Sequence, residues 1–247
     1  MATITSQQDL ASLTASGRLL ATTLRAVAKM VVPGIRTKEL DAESEKLIRS
    51  GGGEPSFLGY QGYPATLCVS VNDEVVHGIP GERELRDGDL VTLDLGVIID
   101  GWYTDAAITV PVGKISPEAK KLMDVTKHSL DIAVKAAVVG GRVGDIGAAV
   151  QSIIDPTGYG IVRKLCGHGV GRAVHEEPQI PNYGRAGSGP ILRAGMVIAI
   201  EPMITAKSPL VHTKDDGWTV ATNDSSIAAH YEHTLVVTEK GPLVVTV

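Results

Sequence analysis

The chain is poor in cysteine, in long apolar runs and in positive charge. Two cysteines, Cys68 and Cys166, occur in 247 residues. That is far from a disulfide scaffold, and both are read as free thiols of a reducing compartment. No stretch of 18 apolar residues is present, which excludes a membrane-spanning helix. Lys and Arg number 23 against 28 Asp and Glu, for a formal net charge of −5. A nucleic-acid binder would usually carry a basic face, so none is expected. The opening MATITSQQDL has no basic segment ahead of an apolar one; a signal peptide is not expected there, and the expected location is the cytoplasm. Asn223 fits a glycosylation acceptor, which carries no meaning without secretion. No linker or low-complexity tract divides the chain.

What is present suits a globular fold. Hydrophobic residues make up 43% and charged residues 21%, ordinary values that allow a sizeable core. Leu10, Leu13, Leu20, Leu24, Val27 and Val31 recur at helical spacing until Pro33-Gly34 breaks the pattern. Thr37 reads as the N-cap of a second helix that Gly51-Gly52-Gly53 stops. ATLCVSV, DLVTLDLGVII and WYTDAAITVPV then alternate as strands, the last two joined by Asp100-Gly101, a hairpin signal. Helices return at Ser116-Pro117 and near Asp145, and the last third reads as strands again. VVPGIRTKELDAESEKLI and VVGGRVGDIGAAVQSII echo each other about 106 residues apart, weak evidence for two similar halves. The order points to an α+β fold with its sheet covered by helices.

The hairpin brings two carboxylates together. With Asp100-Gly101 as a two-residue turn, Asp105 faces Gly96, and Asp94 lies two residues away on the same side. The aspartates are diagonal neighbours, roughly 7 Å apart at Cα, and Gly96 leaves space between them. Taken alone, such a face is equally one that aspartates keep soluble. Glu201, which ends the apolar run VIAIEPMI, and Glu232, inside HYEHTLVV, add two more carboxylates in apolar strands. Each alone is equally a structural ion pair, since a buried carboxylate needs a partner. With His168 the four form a set suited to Mn, Fe, Co or Zn. Four carboxylates balance two divalent cations, and two such ions about 3.5–4 Å apart activate water for hydrolysis.

GYPATLCVSVNDEVVHGIP, LDLGVIIDGWYTDAA, CGHGVGRAVHEEP, IEPM, DGWTV and HYEHTLVVT occur in order from Val31 onwards. Together they resemble the type I methionine aminopeptidases. The resemblance implies a pita-bread α+β fold, a pseudo-two-fold pair of helix-helix-strand halves around a curved, mostly antiparallel sheet. It implies a single catalytic metallopeptidase domain over 1–247, a hydrolase that removes the initiator methionine from nascent polypeptides when the second residue is small. Two divalent ions (Co, Mn, Fe or Zn) are implied. Asp94 would bind one, His168 and Glu201 the other, and Asp105 and Glu232 would bridge. Glu201 would double as a proton shuttle. His175 would hydrogen-bond the substrate oxygen, and His77, read alone an ordinary loop histidine, would contact the scissile amide. Tyr60, Tyr63, Cys68 and Trp218 are the methionine-pocket candidates. The chain departs from the common pattern at Phe57, where a cysteine is frequent, and at Val174 and Leu165, where aromatics are. Phe57, the single phenylalanine, is expected to line the pocket and refill volume lost at Val174. The expected partners are nascent N-termini and, transiently, the ribosome; the expected state is a monomer.

Other readings are weaker. X-Pro aminopeptidases and prolidases share the fold and metals but usually carry an extra N-terminal domain. Non-catalytic relatives lose the ligands that are all present here. CGHGVGRAVHEEP does not match the P-loop or G-x-G-x-x-G spacing, and Pro178 follows too soon for an H-E-x-x-H helix. Seven residues rise about 10.5 Å on a helix, so His168 and His175 are given different tasks: one metal ligand, then a glycine-loosened bend to one substrate-facing histidine.

Overall fold

The computed structural model describes every residue from Met1 to Val247. Helices α1 (Gln7–Ala28) and α2 (Thr37–Ser50) precede one set of strands; α3 (Pro117–Ala136) and α4 (Val143–Ile154) precede another. In α1, Asp9 N–H donates to Ser6 Oγ at 3.0 Å and Ser6 N–H to Asp9 Oδ2 at 3.1 Å, a reciprocal capping box. Its buried stripe is Leu13, Leu20, Leu24 and Val27. The helix ends at Ala28, short of Val31, which the next turn buries instead.

Thr37 is not the cap of α2. The cap is Arg36, whose backbone N–H donates to Glu39 Oε2 at 2.9 Å. The Thr37 hydroxyl is committed elsewhere: it donates to Gly81 O at 3.1 Å and accepts from Gly81 N at 2.8 Å. Helix α4 starts the same way, with Arg142 N–H on Asp145 Oδ2 at 2.7 Å. Arg36 and Arg142 each make an isolated antiparallel bridge, to Glu84 and Ile191. The sequence echo is therefore a structural one. Each half also has its own core. One lies wholly between Leu20 and Val112, the other between Leu122 and Val237.

Every strand pair is antiparallel. The strands form four sheets of four, three, three and five strands rather than one unbroken sheet. The breaks fall at two of the candidate ligands. MVIAIEPMI divides into Val197–Ile200, in the five-stranded sheet, and Met203–Thr205, in a three-stranded one; Glu201 and Pro202 lie between. HYEHTLVV likewise divides into Ala228–His230 and His233–Thr238, so Glu232 sits in a break and not inside a strand as expected. Pro202 lacks the N–H that a continuous ladder needs there.

The Leu90–Ile99 and Trp102–Pro111 strands pair as expected, with Gly96 opposite Asp105. Asp100 (φ 51°) and Gly101 (φ 71°) both adopt positive φ, the signature of a turn whose twist matches the strands. The outer edge of Trp102–Pro111 meets the second half residue by residue. Tyr103 N–H donates to Gly171 O at 2.8 Å and Glu232 N–H to Ala107 O at 2.9 Å. Tyr231 Oη donates to Thr109 O at 2.8 Å. Side chains replace part of the ladder here, which is why the two halves register as separate sheets.

Candidate metal centre

The first half supplies Asp94 and Asp105 from its hairpin. The second supplies His168 from the Gly167–Gly169 strand, and Glu201 and Glu232 from the two strand breaks. All five line one cavity of about 170 Å³, together with Phe57, Tyr60, Tyr63, Cys68, His77, Val174, His175 and Trp218. Asp94 and Asp105 are buried, so the alternative of a solvent-exposed hairpin face does not hold. Ligand atoms of Asp105, His168 and Glu232 lie within 4.8 Å of one another. Glu201 Oε1 is 3.4 Å from His168 Nε2, and Asp105 Oδ2 is 3.9 Å from it.

Burial pushes all four carboxyl groups up, Asp94 to about 7 and Asp105, Glu201 and Glu232 well above their usual range. Mutual repulsion adds to the rise at the last three. Asp94 Oδ1, Asp105 Oδ1 and Glu232 Oε1 are buried without a hydrogen-bond partner. Burial also holds His168 near 3, hence neutral. Its Nδ1 lies 2.9 Å from Gly169 O; a carbonyl only accepts, so Nδ1 carries the proton and Nε2 presents a lone pair to the carboxylates. A backbone carbonyl fixing the second nitrogen is the usual support of a metal-bound histidine. Carboxyl groups and a lone pair converge with no basic side chain among them, so without a cation the carboxyls keep protons, and a divalent cation would supply the missing charge. Its binding displaces carboxyl protons, and therefore strengthens as pH rises through the Asp94 value of about 7.

His175 lies beside His168, ring centroids 4.4 Å apart. The linear spacing of the two histidines does not suggest this contact. Gly171, at φ 135°, turns the chain back between the strands Gly167–Gly169 and Glu176–Ile180. A Cβ on Gly169 would meet the Glu177 carbonyl carbon at 2.7 Å, so the glycines serve close backbone approach. Gln61 Nε2 donates to Tyr60 Oη at 3.1 Å, and Tyr60 Oη is 2.9 Å from His175 Nδ1. The phenol can give its proton to Nδ1, an arrangement that puts the imidazole proton on Nε2. Desolvation at the cavity mouth lowers the His175 pKa although the residue stays exposed, which favours the neutral imidazole. His77, half-buried and held near 4 first by desolvation and then by His175, adopts φ 60°. A left-handed histidine costs about 1–3 kcal/mol, strain that concentrates at functional positions.

The pocket wall is apolar. Phe57, Tyr63, Ala65, Cys68 and Val174 form one buried cluster, with Tyr60 and Trp218 against it. Phe57 and Val174 thus share a wall, as volume compensation requires. The space expected at Gly96 is filled: a Cβ there would meet Phe57 Cε1 at 2.7 Å and crowd Ser56 Oγ. Tyr63 donates its hydroxyl to Gly78 O at 3.0 Å, leaving its ring to the pocket. Cys68 pairs with Asp94 in register; burial pushes its thiol up, which suits a wall and not a nucleophile. Cys166, like Cys68, is a free thiol. Leu165 packs away from this wall, against the cluster of Val75 and Val76.

Sequence reasoning missed His230. It is fully buried, neither ring nitrogen has a hydrogen-bond partner, and Nε2 lies 3.6 Å from Glu201 Oε2. Its place two residues before Glu232 was the available signal. Asn182, also missed, is buried and donates through Nδ2 to Glu201 O at 3.0 Å, supporting the backbone where the strand breaks.

The model of metallopeptidase family M24 matches residues 11–239. A methionine aminopeptidase of Clostridium perfringens is 48% identical over 231 residues, covering 94% of this chain and 93% of that protein. Methionine aminopeptidase 1 of Bacillus subtilis is 46% identical, covering 95% and 94%. The structure of a methionine aminopeptidase from Thermotoga maritima superposes with a TM-score of 0.97 at 40% identity, covering 100% of this chain and 99% of that one. A prolidase of Pyrococcus furiosus shares the fold, with a TM-score of 0.81 at 24% identity, but this chain covers only 65% of it.

Proposed function

The chain belongs to metallopeptidase family M24, and from that membership we propose that it acts as a methionine aminopeptidase, releasing the initiator methionine of nascent polypeptides whose second residue is small. One observation carries the reading: unpartnered buried carboxylates and the His168 lone pair converge beside an apolar, aromatic pocket. Asp94, Asp105, His168, Glu201 and Glu232 would hold two divalent ions, Co, Mn, Fe or Zn. When bound, the ions supply the charge that lowers the pKa of a water and stabilises a developing oxyanion.

The chain's own residues do the rest. His175 donates its Nε2–H to the carbonyl oxygen of the first peptide bond. Glu201 takes the proton that the attacking water gives up and passes it to the leaving amine. His77 contacts the scissile amide. Phe57, Tyr60, Tyr63, Cys68 and Trp218 receive the methionine side chain, whose thioether gains about 0.3–1.5 kcal/mol per aromatic contact. Residues 1–247 act as one catalytic domain and as a monomer. The chain works in the cytoplasm, in transient contact with the ribosome; separately, no helix is long and apolar enough to cross a membrane.

A peptide series tests the proposal. With Mn²⁺ added, Met-Ala-Ser is expected to be cleaved at least about 100-fold faster than Met-Leu-Ser or Ala-Pro, the discrimination a tight pocket supplies. Cleavage of Ala-Pro alone would overturn the reading. In the same assay Phe57→Cys should raise the KM for Met-Ala-Ser; an unchanged KM removes Phe57 from the pocket.

A further inference from the structure

The candidate ligands come from two halves whose main cores are separate and which share a smaller buried cluster, Leu13 and Trp102 with Val197 and Val236; beside the ligands themselves the junction is made by polar contacts. Two buried threonines take part, one from each half. Thr234, in the second half, donates its hydroxyl to Asp105 O at 2.7 Å and accepts from Asp105 N–H at 2.9 Å. Thr109, in the first half, donates to His230 O at 2.8 Å and accepts from His230 N–H at 2.9 Å. Each hydroxyl therefore closes both backbone groups of one residue across the junction. Between the two, Glu232 N–H reaches Ala107 O at 2.9 Å.

The proton bookkeeping is complete. The single proton of Thr109 goes to His230 O, so Thr92 Oγ1, 2.8 Å away, is the donor in their contact. Thr109 and Thr234 are buried. The direct Glu232–Ala107 backbone bond lies between the two hydroxyls, so the junction is pinned at three points, two of them by a side chain that reaches across from the other half.

We propose that Thr234 and Thr109 form a reciprocal clasp that sets the distance between the carboxylates of the first half and those of the second, and so pre-forms the cation site. They are positioning residues, because neither side chain touches substrate. Thr234 acts on Asp105 directly. Thr109 acts on His230, whose ring leans on Glu201 and whose backbone leads into Glu232. Without a clasp, a cation must draw the half-sets together itself, and affinity falls.

The inference rests on the metal site proposed above, and one titration separates the two. Mn²⁺ is titrated calorimetrically into the chelator-stripped full chain and its Thr234→Val, Thr109→Val and Thr234→Ser forms, alongside the melting temperature of each metal-free form. Wild type that binds no Mn²⁺ removes the metal site itself. The clasp predicts at least tenfold weaker binding for Thr234→Val, a smaller loss for Thr109→Val, and wild-type affinity within threefold for Thr234→Ser, which keeps the hydroxyl. A valine form that melts lower yet binds Mn²⁺ like wild type makes the threonine merely structural and overturns the proposal. If Thr234→Val does not fold, Thr109→Val and Thr234→Ser decide: wild-type affinity in Thr109→Val, or a tenfold loss in Thr234→Ser, overturns it.

Discussion

Asp105→Asn is expected to lower kcat/KM for Met-Ala-Ser by at least about 10³-fold and to abolish tight Mn²⁺ binding. Changing a residue that merely supports a ligand costs about 10–100-fold; Asp105 is itself in the group that fits a cation. The substitution keeps shape and volume but removes the charge. Its metal-free stability should move the other way. The Asp105 pKa is raised in the folded chain, first by burial and then by Asp94 and Glu201. A raised folded value means that stability is lost as pH rises from the unfolded value of about 3.9 through the folded one. Asparagine carries no such loss. At pH 8 the metal-free variant should therefore melt above metal-free wild type, by calorimetry. Lower melting with activity retained would make Asp105 a structural residue.

His175→Ala is expected to lower kcat by about 10²–10³, the usual cost of one oxyanion donor, about 2.7–4 kcal/mol. Mn²⁺ affinity should not change. With Tyr60 donating to Nδ1 and the proton on Nε2, His175 offers a cation no lone pair, although its ring touches that of His168. Parallel measurement of steady-state kinetics and Mn²⁺ binding separates the two histidines. A variant that loses the cation together with the activity would make His175 a ligand, and the tautomer with the proton on Nε2 would be wrong.

The hairpin was legible because its rules are local. Asp100-Gly101 dictates the turn, the turn dictates the register, and Asp94 and Asp105 follow by counting. Glu201 and Glu232 were legible as carboxylates out of place in apolar runs. Their position in breaks was not, because the switch from one sheet to another depends on which distant strands compete for the same edge. The contact between His168 and His175 depends on the reversal at Gly171, which spacing alone does not reveal. The threonine clasp was illegible for a different reason. Threonine is an ordinary strand residue, and only the opposite half shows what Thr109 and Thr234 hold. His230 lay between, its periodicity visible and its partner Glu201 29 residues upstream.

The rate of methionine release from Met-Ala-Ser by the chelator-stripped chain, followed by mass spectrometry as Mn²⁺ is added back, addresses the metal centre and the pocket together. The expected course is no release at first, then a rate that climbs with occupancy and levels off when the site is full. Release at an undiminished rate in excess chelator would contradict it, and the carboxylates around His168 would then need another explanation.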